Sequence, residues 1–248
     1  WEMALIYLWR KHNHGKLIGV AHSTIRFWDL RLMSDTKQFS AQSKMPRPDC
    51  IAVNGGLAKR SLLNAGYPES ELVEVEALMY LHLATTKMQP KRNEAMTILV
   101  ATDYLESATK TQMRLLEELV AMHPNKYRIL LKPHWSQSLD SLRFDAEIVS
   151  GKKDLSQFFD QADVLYCSAI TSAVIDGVCA GLPVIQCLDP MSFNLSPLRE
   201  NDALQTVRTS AELTAALEQT DQFQSKVSPS DFFNLDRNLP GWKNLLQI

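Results

Sequence analysis

Between residues 97 and 187, short apolar runs alternate with segments of helical periodicity, and that alternation constrains the fold more than any other feature of the chain. The runs at 97–101, 127–131, 146–149, 164–167 and 183–187 have the length and composition of buried strands. The spacing predicts a helix over 108–122 with Met113, Leu115, Leu116, Leu119 and Val120 as its apolar stripe. A second helix, 154–159, opens on Asp154 as N-cap, and a third, 173–180, stops at Gly181. Strands alternating with helices predict βαβ units and a parallel sheet, and five strands suffice for a doubly wound domain. Thr209 then opens a helix to about residue 218, and a polar tail follows with Phe232, Phe233 and Trp242 as anchors.

The first half is sparser. A helix over 3–9 ends at His12-Asn13-His14-Gly15, a strand covers 17–20, and a polar loop follows. Residues 25–32 mix apolar and charged types, and 34–48 read as a loop. A strand over 50–53 ends at Asn54-Gly55-Gly56, a helix spans 57–65 before Gly66, and 71–75 supplies a third candidate strand. So small a sheet is hard to stabilise alone. Because the chain also opens at Trp1 without an initiator Met, a truncated N-terminal domain is expected. The polar stretch 85–95 reads as a linker. The expected organisation is a partial acceptor-side domain over 1–84, the linker over 85–95, a ligand-binding domain over 96–208, and a C-terminal helix and tail over 209–248.

Composition removes several function classes. With 45% hydrophobic and 22% charged residues the chain is an ordinary globular protein, and a net charge of −2 gives no global basic field to recruit nucleic acid or anionic lipid. Cys50, Cys167, Cys179 and Cys187 form no CxxC pair and read as buried free thiols in a reducing compartment. No metal site is expected, since neither a zinc-type Cys/His spacing nor a DxD motif is present. No apolar run approaches the ~20 residues of a membrane span, and the chain does not open on a basic region followed by an apolar core. A cytoplasmic location is therefore expected, with peripheral association at the inner face of the membrane left open.

In an open α/β sheet ligands bind beyond the carboxyl ends of the strands, and that rule selects the residues to weigh. Lys132-Pro133-His134 follows one strand; proline fixes the backbone, and the imidazole can donate to a phosphate oxygen or serve only as a loop residue. Ser168-Ala169-Ile170-Thr171-Ser172 joins a strand to a helix, where hydroxyls cap the helix or, with free N–H groups and the helix dipole, hold an anion. Asp176 lies one turn beyond Ser172 on the same face, placed for a ribose hydroxyl or for solvent. His22, with Arg26 and Asp29 close in sequence, follows the first strand and fits a general base oriented by a carboxylate, or a plain polar loop. Asn54 and Gly55 end the second strand, where glycine permits close ligand approach or merely a turn. There is no GxGxxG and no Walker A motif.

Lys132-Pro133-His134-Trp135, followed a strand and a helix later by Ser168 through Asp176-Gly177 and Gly181-Leu182-Pro183-Val184-Ile185, resembles the C-terminal domain of GT-B glycosyltransferases. The pattern is similar to the paired His-Pro and Ser-rich motifs of bacterial sialyl- and Kdo-transferases, which use CMP-sugars, and of CDP-glycerol glycerophosphotransferases. Gly19 through Arg31, and Met45-Pro46-Arg47-Pro48-Asp49 through Leu78, resemble stretches of surface carbohydrate (O-antigen) biosynthesis proteins. The chain departs from the pattern in having Pro-His where the motif reads His-Pro, and in showing no acidic acceptor-activating motif. The resemblance implies an α/β, GT-B-like fold of two Rossmann-like parallel-sheet domains. It implies a metal-independent glycosyltransferase that takes a nucleotide-sugar, CMP-sugar favoured, as substrate rather than cofactor. The acceptor would be a hydroxyl of a surface glycan or lipid-linked intermediate. It implicates His134, Ser168, Thr171 and Ser172 in holding the donor phosphates and His22 as the base; the residue-level reading above adds Lys132 and Asp176 to the donor site, Asp29 to the catalytic pair, and Arg26, Asn54 and Gly55 to the acceptor side. A polyol-phosphate transferase of the CDP-glycerol type, a sugar-nucleotide epimerase and a non-catalytic binding protein on the same fold are the alternatives.

Overall fold

The structure, a computed structural model, describes residues 1–27, 29, 32, 46–85, 95–137, 142–149, 153–199, 204–222 and 227–247. Trp28, Leu30, Arg31, most of the loop expected over 34–48, and 86–94 of the expected linker lie outside the described residues. The chain divides into two compact units, residues 1–85 with 228–248, and residues 86–227.

The first unit holds a parallel sheet ordered β1 (Ile18–Ala21), β2 (Cys50–Val53), β3 (Leu72–Glu74). All four residues of the central β2 are buried, as a strand flanked on both sides requires. Helix α2 (Gly56–Asn64) crosses from β2 to β3 and buries Ala58 and Leu62 against Ile25, Ile51, Val53 and Leu72. Helix α1 (Glu2–Lys11) precedes β1 and buries none of its residues.

The second unit is a six-stranded parallel sheet among the described residues, ordered β6 (Glu147–Ile148), β5 (Tyr127–Lys132), β4 (Met96–Ala101), β7 (Val164–Ser168), β8 (Val184–Cys187), β9 (Leu204–Val207). Counted within the unit, that is the doubly wound order 3-2-1-4-5-6, with its switch point between β4 and β7. The sequence shows five of these strands; β9 escapes it because Leu-Gln-Thr-Val is too short and mixed to stand out. Helix α3 (Glu106–Met122) buries the expected stripe apart from Val120, which packs at the margin of the core, and it also buries the polar Thr109 and Gln112. Helix α4 (Ala173–Ala180) buries seven of its eight residues and ends on Gly181 at φ 84, a left-handed cap that glycine adopts without strain. A Cβ on Gly177 would lie 2.5 Å from Leu165 Cδ2 and 2.8 Å from Val184 Cγ2, so glycine lets α4 lie close on β7 and β8. Helix α5 (Ser210–Glu218) is capped as expected, Thr209 Oγ1 accepting from Glu212 N.

Two local expectations change. The segment opened by Asp154 is a 3-10 helix, Leu155–Gln161, and the Asp154 side chain makes no capping bond; burial of Phe158 and Phe159 fixes the segment instead. The expected single piece over 209–248 is divided: α5 belongs to the second unit, and the chain from Ser228 onward packs on the first. There α6 (Pro229–Phe232) and α7 (Pro240–Leu246) are held by buried side chains. Phe233 stacks on Tyr80 with ring centroids 3.9 Å apart. The buried Glu76 carboxylate accepts from Gly241 N, Trp242 N and Asn234 Nδ2, and its carbonyl accepts from Trp242 Nε1. All four cysteines are buried free thiols; burial pushes Cys187 up to about 11 and Cys167 further, which leaves both as inert thiols. Among the described residues no helix is long and apolar enough to cross a membrane.

Candidate functional site

At the switch point of the second unit the loops after β4, β5 and β7 converge. β4 ends into Thr102 and Asp103, both buried. The Asp103 carboxylate accepts from Ser168 Oγ at 2.5 Å and from Leu105 N at 2.9 Å, so it ties the end of β4 to the end of β7. Thr102 Oγ1 accepts from His134 N at 2.8 Å, tying β4 to the loop after β5. Beneath them Gln112 Nε2 donates to the carbonyls of Ala101 and Tyr166, bridging β4 and β7 where they part. This polar frame holds the three loop ends in place, since each buried group depends on its partner.

The frame positions the half-buried groups above it. His134 is half-buried, and its Nδ1 pairs with Ser136 Oγ at 2.7 Å. Lys132, at the last position of β5, is half-buried. Thr171 Oγ1 accepts from Ala173 N at 3.3 Å, the first N–H of α4. The backbone N–H groups of Thr171, Ser172 and Val174 have no acceptor among the described residues. Together with the helix dipole they make a site for an anion. One turn along α4, Asp176 Oδ1 is sealed from solvent with no hydrogen-bond partner among the described residues, although the residue as a whole keeps partial exposure. Burial, and secondarily the charge of Asp154, lift its carboxyl from 3.8 to about 7.

The structure therefore brings His134, Lys132, Thr171, Ser172 and Asp176 to one sheet edge. Ser168 differs from expectation: it is 2% exposed and its hydroxyl is spent on Asp103, so it braces the site rather than contacting a ligand. Thr102, Asp103 and Gln112 are missing from the sequence reading. Their signal was available, since Thr102-Asp103 is a polar pair directly beyond a buried strand, where the carboxyl-end rule applies as it does after β5 and β7.

In the first unit the expected pairs do not form. His22 is exposed after β1, while Asp29 is buried at 8% exposure, and the His22 ring makes no hydrogen bond to it. Asp29 sits in a turn, its N–H donating to Arg26 O. Arg26 is half-buried beside that turn. The space expected for a ligand at Asn54 and Gly55 is filled by the chain's own C-terminal segment. A Cβ on Gly55 would lie 2.2 Å from Phe232 O and 2.6 Å from Phe233 Cα. Asn54 donates from Nδ2 to Ser23 O, and its carbonyl accepts from Asn234 N. Both residues seat residues 232–234 across the ends of β2 and β3.

Two α/β domains with parallel sheets, the second doubly wound, define a GT-B-like fold. No protein-family model and no curated protein matches the sequence. Among solved structures, a UDP-GlcNAc 2-epimerase from Neisseria meningitidis bound to UDP-GlcNAc is similar with a TM-score of 0.62 at 10% identity, over 97% of this chain and 71% of that one. The S. aureus MnaA–UDP co-structure is similar with a TM-score of 0.60 at 10% identity, over 97% and 70%. The glycosyltransferase of kitacinnamycin follows with a TM-score of 0.53 at 14% identity, over 88% and 64%. At such identities the likeness is one of fold.

Proposed function

We propose that this chain is a nucleotide-sugar-dependent glycosyltransferase whose donor binds at the carboxyl edge of the second sheet. The observation that carries the reading is the convergence there of unpaired N–H groups at the start of α4, the Thr171 and Ser172 hydroxyls, His134, and an unpartnered Asp176 one turn away. The donor phosphates lie against the α4 N-terminus and His134, and a ribose hydroxyl donates to the partly exposed Asp176 carboxylate. An acceptor hydroxyl oxygen bonds to the anomeric carbon as the bond from that carbon to the phosphate oxygen breaks. The nucleotide leaves with the electron pair, and the anion site stabilises its charge. The hydroxyl proton goes to a base, a role that the sequence resemblance gives to His22. A CMP-sugar donor, a surface glycan or lipid-linked acceptor and work at the inner membrane face rest on the sequence resemblance.

Sugar-nucleotide epimerisation is the second reading. It is favoured by two similar structures whose ligands are UDP and UDP-GlcNAc and which align over 97% of this chain. The test is a thermal-shift and calorimetric screen of CMP, CDP, UDP, GDP and their sugar conjugates on wild type and His134→Ala. One nucleotide series should stabilise the wild type and bind His134→Ala about tenfold more weakly, the loss of one charge-assisted contact. With that donor, acceptor-dependent release of free nucleotide marks a transferase; a changed sugar still attached to its nucleotide marks an epimerase. No binding by any nucleotide rejects both readings.

A further inference from the structure

The imidazole of His134 is held in one form by its own loop. Gln137 N donates to His134 O at 2.9 Å, closing a turn over residues 134–137 just past β5. Within that turn Ser136 N donates to His134 Nδ1 at 3.3 Å, and Ser136 Oγ lies 2.7 Å from the same nitrogen. The ring nitrogen thus takes the place that a side-chain oxygen takes when Asn or Asp accepts from the N–H two residues on. The root of the side chain is fixed as well, since His134 N donates to Thr102 Oγ1 at 2.8 Å. A backbone N–H can only donate, so Nδ1 presents its lone pair, and the Ser136 hydroxyl on that nitrogen must donate too. A neutral imidazole carries one proton, which then resides on Nε2. His134 Nε2 has no partner among the described residues.

We infer that Ser136 is a positioning residue: it holds His134 as the Nε2–H tautomer in one orientation, so that the imidazole serves the donor site as a hydrogen-bond donor and never as a base. With the Nδ1 lone pair taken by Ser136 and Nε2 protonated, the ring has no free lone pair to accept the proton of an attacking hydroxyl. An ionised phosphate oxygen offers only lone pairs and matches Nε2–H. The choice of phosphate as the acceptor rests on the nucleotide-sugar reading above; the tautomer does not.

Long-range 1H–15N correlation spectra of the full chain at pH 8, with His134→Ala identifying the resonances, read the tautomer directly. The expected result is a single form, Nδ1 bare and Nε2 protonated, in wild type and Ser136→Thr, and a mixture of tautomers in Ser136→Ala. A protonated Nδ1 or a mixture in the wild type overturns the proposal, as does an unchanged single form in Ser136→Ala. Calorimetric titration with CMP, CDP, UDP and GDP follows. The nucleotide that binds should bind Ser136→Ala about threefold more weakly, because the freed ring spreads over its rotamers, and Ser136→Thr should restore the affinity. In a His134→Ala background the Ser136→Ala change should cost nothing more, since Ser136 acts only through the ring; an equal loss in both backgrounds overturns the positioning role. If no nucleotide binds the wild type, the nucleotide-sugar reading fails and the role toward phosphate falls with it, while the spectra still decide the tautomer. Ser136 is exposed, so unchanged thermal melting of its variants separates lost binding from lost folding.

Discussion

Asp176→Asn should make the protein more stable and less able to bind nucleotide. Burial lifts the Asp176 carboxyl from 3.8 to about 7, with the charge of Asp154 adding to it. The folded chain thus keeps a proton that the unfolded chain has released above pH 3.8. The cost of the charged form grows as pH rises from there, is complete above pH 7, and vanishes in acid. At about 1.4 kcal/mol per pH unit it reaches about 1.6 kcal/mol at pH 5 and about 4 kcal/mol at pH 8, the latter an upper figure because the residue keeps some exposure. Asparagine is neutral throughout, so its advantage over wild type should widen by about 2–3 kcal/mol between pH 5 and pH 8. Urea unfolding of both proteins at pH 5, 6, 7 and 8 measures the widening. Parallel curves would refute the reasoning, for they would mean that Asp176 titrates alike in the folded and unfolded chain. A ribose hydroxyl donating to the Asp176 carboxylate favours the charged form, so nucleotide binding to the wild type should also release protons near pH 7, and binding to Asp176→Asn should not.

Two further substitutions probe the supports. Glu76→Ala removes a buried carboxylate that accepts from Gly241 N, Trp242 N and Asn234 Nδ2, and should cost about 3 kcal/mol; limited proteolysis should then cut first in residues 228–247. Ser168→Ala removes one of the two donors that hold Asp103, which should cost about 1–3 kcal/mol in thermal melts and lower nucleotide affinity with no contact to the ligand lost.

The second unit was largely legible because its signals are local. β4, β7 and β8 are buried apolar runs, α3 carries an apolar stripe, and Gly181 and Thr209 punctuate helices through their own backbone and side chain. The frame of the site was not, because Asp103 and Ser168 are 65 positions apart and Gln112 reaches Tyr166 across 54. No periodicity records such a pairing. The first unit misled for a related reason. Asn54 and Gly55 do stand at a strand end, and glycine is there for close approach, but what approaches is the backbone of Phe232 and Phe233, supplied from far along the chain. Sequence marks the need for space without naming the occupant.

That distinction bears on how function divides between the units. In both, a strand of the parallel sheet is followed by a polar residue, Thr102 with Asp103 after β4 and Asn54 with Gly55 after β2. In the first unit the space beyond is closed by residues 232–234, with Glu76 and Asn54 satisfied by that segment. In the second, every buried polar atom of the Asp103–Ser168 link is paired below the edge, while above it N–H groups of α4 and Asp176 Oδ1 stay unpaired among the described residues. Unpaired buried groups cost free energy that a chain recovers when a ligand supplies the missing partners. The donor proposed above supplies such partners at the unsatisfied edge of the second sheet.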